Sequence, residues 1–136
     1  MKAVWTDALA SGNKTIDSQH KQLLDHINTF FDSISKEHGH ETSVRTLNFL
    51  VKYVRYHFAT EEELMRKTEY EHLQDHLHYH RKLVDSLMKC YKRLISDGNS
   101  EYVIQEISTL LQDWFVCHIM EHDLKLVKHL QGYEFE

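Results

Sequence analysis

Four long segments of this chain place their apolar residues at steps of three and four, and no proline interrupts any of them. Steps of that size bring apolar side chains to one face of an α-helix, whereas a proline would break the helix. Helices of such length, joined by short connections, pack as antiparallel neighbours. The sequence therefore predicts an all-α protein, an antiparallel up-down-up-down four-helix bundle with an N-terminal arm. The arm covers residues 1–16, and the helices span about residues 18–37, 43–66, 71–96 and 100–131.

Polar residues mark where the first two helices should begin. Asp17 is the predicted N-cap of the first helix, and Thr42 or Ser43 that of the second, because their side-chain oxygens can accept from free backbone N–H groups. Trp5 and Leu9 are the predicted anchors of the arm, since large apolar side chains gain most from burial. No repeat, low-complexity run or linker divides the sequence. We therefore expect one domain over residues 1–136.

Composition and charge exclude several classes of protein. At 136 residues the chain is about one domain long and can bury a core. The net charge of −5 disfavours nucleic-acid binding, which needs a clustered basic face. No segment approaches the roughly 20 apolar residues of a membrane span, and the first residues lack the apolar run of a secretory signal. Because Cys90 and Cys117 suggest no disulfide framework, the expected compartment is the cytoplasm.

The functional signal lies in polar residues that interrupt the apolar faces. The sequence has 12 histidines, and several of them share a face with leucines of the predicted core. Pairs such as His76 and His80, four residues apart, are neighbours on one helix face. Each predicted helix supplies at least one side chain of a type that binds metals. The candidate ligands are His20, His57, Glu61, His76, His80, His118 and Asp123.

These groups would destabilise the bundle if they were buried without partners. An unpaired buried polar group costs roughly 1–3 kcal/mol and an isolated carboxylate far more, against a total stability of about 5–15 kcal/mol. Metal ions remove the conflict, because they bind imidazole nitrogens and neutralise carboxylates, and bundle cores commonly hold metals between facing helices. A single buried histidine is more often an ordinary core residue, but the convergence from four helices predicts a metal centre.

The type and number of the ligands indicate which metal is bound and how many ions. Imidazole together with carboxylate suits iron, whereas a structural zinc site needs only four ligands. Seven ligands are too many for one ordinary ion. If both carboxylates bridge two ions, the set supplies nine bonds to metal. A bridging oxygen would then leave one open position on a pair of six-coordinate metals, and a further ligand could bind there.

The spacing of Asp123 leaves its role open. It follows His118 by five residues, which puts the two about 140° apart around a regular α-helix. Both residues could bind one centre from different sides, or a π-type turn could widen the helix and bring them together. Alternatively, Asp123 is a surface carboxylate.

These residues and spacings resemble the hemerythrin family, specifically its single-domain bacterial members. The resemblance covers almost the whole chain and departs visibly at Glu71, where members often have a proline after the tyrosine. The matching pieces are Ile16-Asp17-Ser18-Gln19-His20, His57-Phe58 with Glu61-Glu62 and Met65, Tyr70 with His76 and His80, Trp114-Phe115 with His118-Ile119 and Asp123, and also Trp5 and Gly12.

The resemblance implies two iron ions joined by an oxo or hydroxo group, with dioxygen as the ligand of the open position. The implied ligands are His76, His80 and His118 for one iron, His20 and His57 for the iron with the open position, and Glu61 and Asp123 as bridges. An apolar lining would keep water and proton donors from the bound oxygen. Candidates for that lining are Leu23, Phe58, Val116 and Ile119, for which plain core packing is an equal alternative.

By the same resemblance the chain is a binding protein and not an enzyme, with reversible dioxygen binding for storage, delivery or sensing. A di-iron oxidase or peroxidase-type enzyme is the main alternative, and a redox or nitric-oxide sensor is another. Nitrogen dominates the ligand set, whereas ferritin-like enzymes use Glu-x-x-His motifs and more carboxylates, so binding is favoured. The sequence leaves open whether an oxygen-consuming enzyme receives the oxygen.

The other polar residues near these motifs are expected to have no part in the centre. Glu62 and Glu63 should lie on a solvated face, and Cys117 should pack in the core. Seven further histidines are also expected in solvent, namely His26, His38, His40, His72, His78, His122 and His129.

Overall fold

Helices account for most of the residues that the computed structural model describes, which are 5–6, 10–35, 39–131 and 133, without the side chains of residues 35 and 115–120. Each long helix packs against the next, which confirms the all-α bundle. Within the described residues, no helix is both long enough and apolar enough to cross a membrane. The elements are α1 (Lys14–Ser35), α2 (His40–Lys67), α3 (Leu73–Asp97), α4 (Glu101–Cys117), a π-helix (His118–Asp123) and α5 (Leu124–Leu130).

The described core consists of two apolar clusters with a polar layer between them. On α1, Ile16 belongs to the smaller cluster and Leu23 to the larger one, and the buried His20 lies between them. The other helices of the bundle also have polar residues between the residues of the two clusters, so that these polar residues meet in one layer. Glu61 lies between Phe58 and Met65, His76 and His80 between Leu73 and Leu83, and Asp123 between Trp114 and Leu126.

The first helix begins at Lys14, before the predicted Ser18, because a different residue caps it. The side-chain oxygen of Asn13 accepts from the backbone N–H of Ile16 at 3.0 Å, the hydrogen bond of an N-cap. Asp17 lies inside the helix, where its carboxylate accepts from the backbone N–H groups of Ser11 and Gly12 at 3.0 and 3.2 Å. The N-cap prediction for Asp17 was therefore wrong, and this residue fastens the preceding loop to the helix.

The second helix also begins earlier than predicted. It starts at His40 after Gly39, and no side chain caps it. Ser43 is fully buried, and its hydroxyl accepts from the side-chain amide of Asn99 at 2.9 Å. Thr42 or Ser43 as N-cap was therefore wrong, because the Ser43 hydroxyl binds the connection between α3 and α4.

The described part of the arm contacts the bundle through Trp5. This side chain is partly buried against the larger apolar cluster, and the Lys21 ammonium lies 5.0 Å from the centre of its ring. Leu9, the other predicted anchor, lies outside the described residues. Trp5 thus packs against the bundle beside Lys21 on α1.

Candidate metal centre

Six of the seven candidate ligands meet in the polar layer of the bundle. None of them is more than 2% exposed, so all six have lost their contact with bulk water. The side chain of the seventh, His118, is outside the described part of the structure. The six are His20 on α1, His57 and Glu61 on α2, His76 and His80 on α3, and Asp123 at the end of the π-helix.

The Glu61 carboxylate lies between histidines of two helices. Its Oε2 atom is 3.5 Å from the Nε2 of His57, one turn earlier on α2. Its Oε1 atom faces α3, at 3.1 Å from the Nε2 of His80 and 3.6 Å from that of His76. One oxygen therefore faces each side of the polar layer.

The two oxygens of the Asp123 carboxylate also face histidines on opposite sides of the polar layer. Its Oδ2 atom is 2.6 Å from the Nε2 of His20 and 3.4 Å from the Nε2 of His57. Its Oδ1 atom is 3.5 Å from the Nε2 of His76. Both carboxylates thus have one oxygen towards the α1–α2 histidines and one towards the α3 histidines.

A π-helix explains how Asp123 reaches this layer. The segment His118–Asp123 is π-helical, and a π-helix joins residues five apart by its hydrogen bonds. The backbones of His118 and Asp123 are therefore one turn apart. Asp123 is 1% exposed, so the surface alternative for this residue was wrong. The π-type turn is the predicted geometry that the backbone adopts.

The donor set fits metal ions by its chemistry. Two overlapping groups each bring their potential ligand atoms within 4.8 Å of one another, and the carboxylate of Glu61 belongs to both. Imidazole nitrogen and carboxylate oxygen are ligands that iron takes readily. The groups are His20, His57, Glu61 and Asp123 on one side, and Glu61, His76 and His80 on the other.

The carboxylates also control the protonation of their neighbours. Burial alone would lower the pKa of His76, but hydrogen bonds to Asp123 and Glu61 and the charge of both carboxylates raise it from 6.5 to about 9. Burial raises the pKa of Tyr70, and the carboxylate of Glu71 raises it further. In the absence of a metal ion, the negative charge of the layer is thus balanced partly by a proton on His76.

Two residues outside the predicted ligand set accept hydrogen bonds from the Nδ1 atoms of two candidate ligands, His57 and His80. The Nδ1 of His57 donates to the side-chain oxygen of Gln19 at 2.7 Å, and the Gln19 amide donates to Thr60 at 3.1 Å. The Nδ1 of His80 donates to Oε2 of Glu62 at 3.1 Å. From the sequence, Gln19 was only part of a motif, without a role. Glu62, expected on a solvated face, is instead 24% exposed and contacts His80.

Two of the four candidate lining residues have described side chains. Leu23 is fully buried in the larger apolar cluster. Phe58 is 3% exposed and stacks on the His80 ring, with the ring centres 3.6 Å apart and the planes 5° from parallel. The side chains of Val116 and Ile119 are outside the described part of the structure. Phe58 therefore contacts a candidate ligand, and an oxygen pocket stays a prediction.

The remaining histidines divide into two groups. His40, His72 and His78 are exposed, as expected, and His38 lies outside the described residues. The others are partly buried, so full solvation was wrong for them. His122 stacks on Tyr79 with ring centres 4.0 Å apart, His129 lies 2.9 Å from the Thr68 hydroxyl, and His26 lies against Tyr53.

Comparison with known proteins gives one consistent result. Residues 11–130 match the family model described as the hemerythrin HHE cation binding domain. A bacteriohemerythrin of Pseudomonas paraeruginosa is 34% identical over 121 residues, which cover 88% of this chain and 76% of that protein. A bacteriohemerythrin of Methylococcus capsulatus is 32% identical over 120 residues, with coverages of 88% and 89%. A myohemerythrin of Theromyzon tessulatum is 30% identical over 121 residues, with coverages of 89% and 88%.

Proposed function

The chain belongs to the hemerythrin family, and on that premise we propose that it binds dioxygen reversibly at a non-haem di-iron centre. One observation carries the proposal. Glu61 and Asp123 each have one carboxylate oxygen near the histidines of α1 and α2 and the other near those of α3. Two carboxylates in that arrangement suit a pair of ions that they bridge.

The proposed ligands follow the two sides of the polar layer. A bridging oxo or hydroxo group would complete the pair, and the iron with two histidines would keep an open position. When bound, the iron pair supplies the electrons and the open coordination position that dioxygen needs. The sets are His76, His80 and His118 for one iron, His20 and His57 for the other, and Glu61 and Asp123 as bridges.

The chain shields the described ligands from bulk water, since none of them is more than 2% exposed. The polar layer lies between two apolar clusters, so water has little access from either end of the bundle. Proton donors near bound oxygen would promote its irreversible reduction, and an apolar environment restrains that reaction. We propose Leu23 and Phe58 as parts of this lining, together with Val116 and Ile119.

The ligand chemistry favours a carrier over an oxidising enzyme. The described ligand set has four imidazoles and two carboxylates, and fewer anionic ligands favour the reduced iron pair over the high-valent states that oxidation requires. Storage, delivery and sensing of oxygen all fit such a centre, as does transfer to an oxygen-consuming enzyme. The buried free thiol of Cys90 suits the reducing cytoplasm, which is the compartment we propose.

The bridges provide the test of the proposed centre. Glu61→Gln and Asp123→Asn each remove one charge and one bridging oxygen at nearly constant volume. After anaerobic loading, the parent should hold about two irons per chain. Each variant should hold clearly fewer, because removing a ligand that both ions share weakens the binding of both. Elemental analysis of the desalted proteins measures this.

The matched control is Glu63→Gln. Glu63 is 61% exposed and pairs with Lys67 on the outside of α2, so its loss should leave the iron content unchanged. Two irons in the Asp123→Asn variant would contradict the bridging role of Asp123. One zinc per chain in the parent would instead favour a structural site.

A further inference from the structure

We infer that Glu62 is a positioning residue that fixes the orientation of His80 and adds negative charge to the α3 half of the centre. The inference rests on the proposed di-iron centre and concerns the unequal electronic environment of its two halves. Gln19 occupies the corresponding place in the other half and carries no charge.

The His80 ring is fixed on three sides. Its Nδ1 donates to Oε2 of Glu62 at 3.1 Å, and its Nε2 lies 3.1 Å from Oε1 of Glu61. Phe58 stacks on its face. Because a carboxylate can only accept, the proton of the neutral ring stays on Nδ1, and the lone pair of Nε2 points to the centre. Glu62 thus selects the tautomer that can bind a metal.

His57 has the same tautomer but a neutral partner. Its Nδ1 donates to the amide oxygen of Gln19 at 2.7 Å, and Thr60 accepts from the amide nitrogen, which fixes the orientation of the amide. A carboxylate partner raises the basicity of a ligating imidazole, and a neutral amide does so much less. The α3 half of the centre should therefore receive more electron density than the α1–α2 half.

Glu62 is also more exposed to water than Gln19. Gln19 is 6% exposed, whereas the side chain of Glu62 is 24% exposed and lines a surface cleft of about 330 Å³ together with Arg55 and Arg81. The Arg66 guanidinium is 3.8 Å from Oε1 of Glu62, but it is 57% exposed and therefore only weakly offsets the charge. Glu62 therefore lies at the edge of the bundle next to water, whereas Gln19 lies inside it.

The experiment compares three single variants of the full chain. Glu62→Ala removes both the acceptor and the charge, and Glu62→Gln removes the charge but keeps an acceptor. Glu63→Ala is the matched control, since Glu63 pairs with Lys67 at 3.5 Å on the outside of the helix. Fe²⁺ affinity is measured by anaerobic equilibrium dialysis, and the reduction potential of the loaded centre by spectroscopic redox titration.

We expect Glu62→Ala to lower the Fe²⁺ affinity by about 10–100-fold, the usual effect of losing such a partner. Glu62→Gln should recover most of the affinity and yet raise the reduction potential, because less negative charge then stabilises the oxidised pair. Glu63→Ala should match the parent in both measurements. This split between affinity and potential is not expected of a residue that only supports the fold.

Each other result overturns a defined part of the inference. Parental affinity in Glu62→Ala would show that Glu62 does not position His80. A parental potential in Glu62→Gln would show that its charge does not reach the centre, and this variant decides the matter if the alanine variant loses helicity. A parent chain that binds no pair of Fe²⁺ ions would overturn the proposed centre itself, and the inference with it.

Discussion

His57 and His80 show what can be read from a sequence at the scale of single residues. The contacts that face the centre follow in part from spacing, because His57 and Glu61 lie one turn apart on one helix. The contacts of the Nδ1 atoms, on the far side of the rings, do not follow from spacing, because each joins two helices. Gln19 on α1 binds His57 on α2, and Glu62 on α2 binds His80 on α3. Spacing along a helix fixes neighbours within that helix, whereas the register between helices depends on packing that one sequence does not reveal.

His76 gives a prediction for the metal-free protein. Its pKa is about 9 in the fold, above the ordinary value of 6.5, so its proton stabilises the native state fully below pH 6.5. That stabilisation should disappear as the pH rises through 9, with a loss on the order of 3 kcal/mol. Urea unfolding of chelator-treated protein between pH 6 and 9.5 measures it.

The variant His76→Leu is the comparison for this effect. It should lack most of the decline, because it has no proton to lose at this position. Iron-loaded protein should show the opposite trend, since ligands must be deprotonated and acid weakens metal binding. Parallel pH curves for the metal-free parent and the variant would refute the account of His76.

At the scale of elements, the π-helix is the feature that sequence patterns treat least well. The spacing of five residues between His118 and Asp123 indicated either a π-type turn or two different directions of approach, and only the backbone decides between them. Helix starts were also misjudged, since Asn13 and not Asp17 caps α1. Several polar residues near a helix end can serve as caps, and the loop conformation selects one of them.

Because a hydrogen-bonded turn of the π-helix holds one residue more than a turn of an α-helix, we expect the protein to tolerate the deletion of one residue within it. Deletion of the exposed Glu121 should convert the segment to regular α-helix, with His118 and Asp123 still one turn apart and α5 still facing the core. Deletion of the exposed Gln112 within α4 should instead rotate the flanking faces by about 100° relative to each other. Iron content and thermal unfolding measure both effects.

We expect the Glu121 deletion to keep most of its iron and its cooperative unfolding. The Gln112 deletion should lose iron and much of its stability. Equal damage from the two deletions would mean that the π-helix has a role that a regular turn cannot replace.

At the scale of the whole molecule, a polar layer separates two apolar clusters in the described core. The apolar periodicity was sufficient to predict the bundle, because a stripe at steps of three and four specifies which face of each helix is buried. It also placed the candidate ligands on the inward faces, and six of them meet. The two clusters, with Ile16 and Met65 in one and Leu23 and Phe58 in the other, lie on either side of the polar residues that interrupt the apolar faces, a division that the sequence indicated but that was not predicted as such.

Oxygen titration of the iron-loaded protein tests the central claim most directly. The protein is reduced anaerobically, dioxygen is added stepwise while the optical spectrum is recorded, and the gas is then removed. We expect an absorption band that saturates at about one dioxygen per pair of irons, disappears on degassing and returns over repeated cycles. Glu63→Gln should behave like the parent, and Asp123→Asn should show no such band. A spectrum that does not reverse, or steady consumption of oxygen with a reductant, would contradict reversible binding and favour a di-iron enzyme.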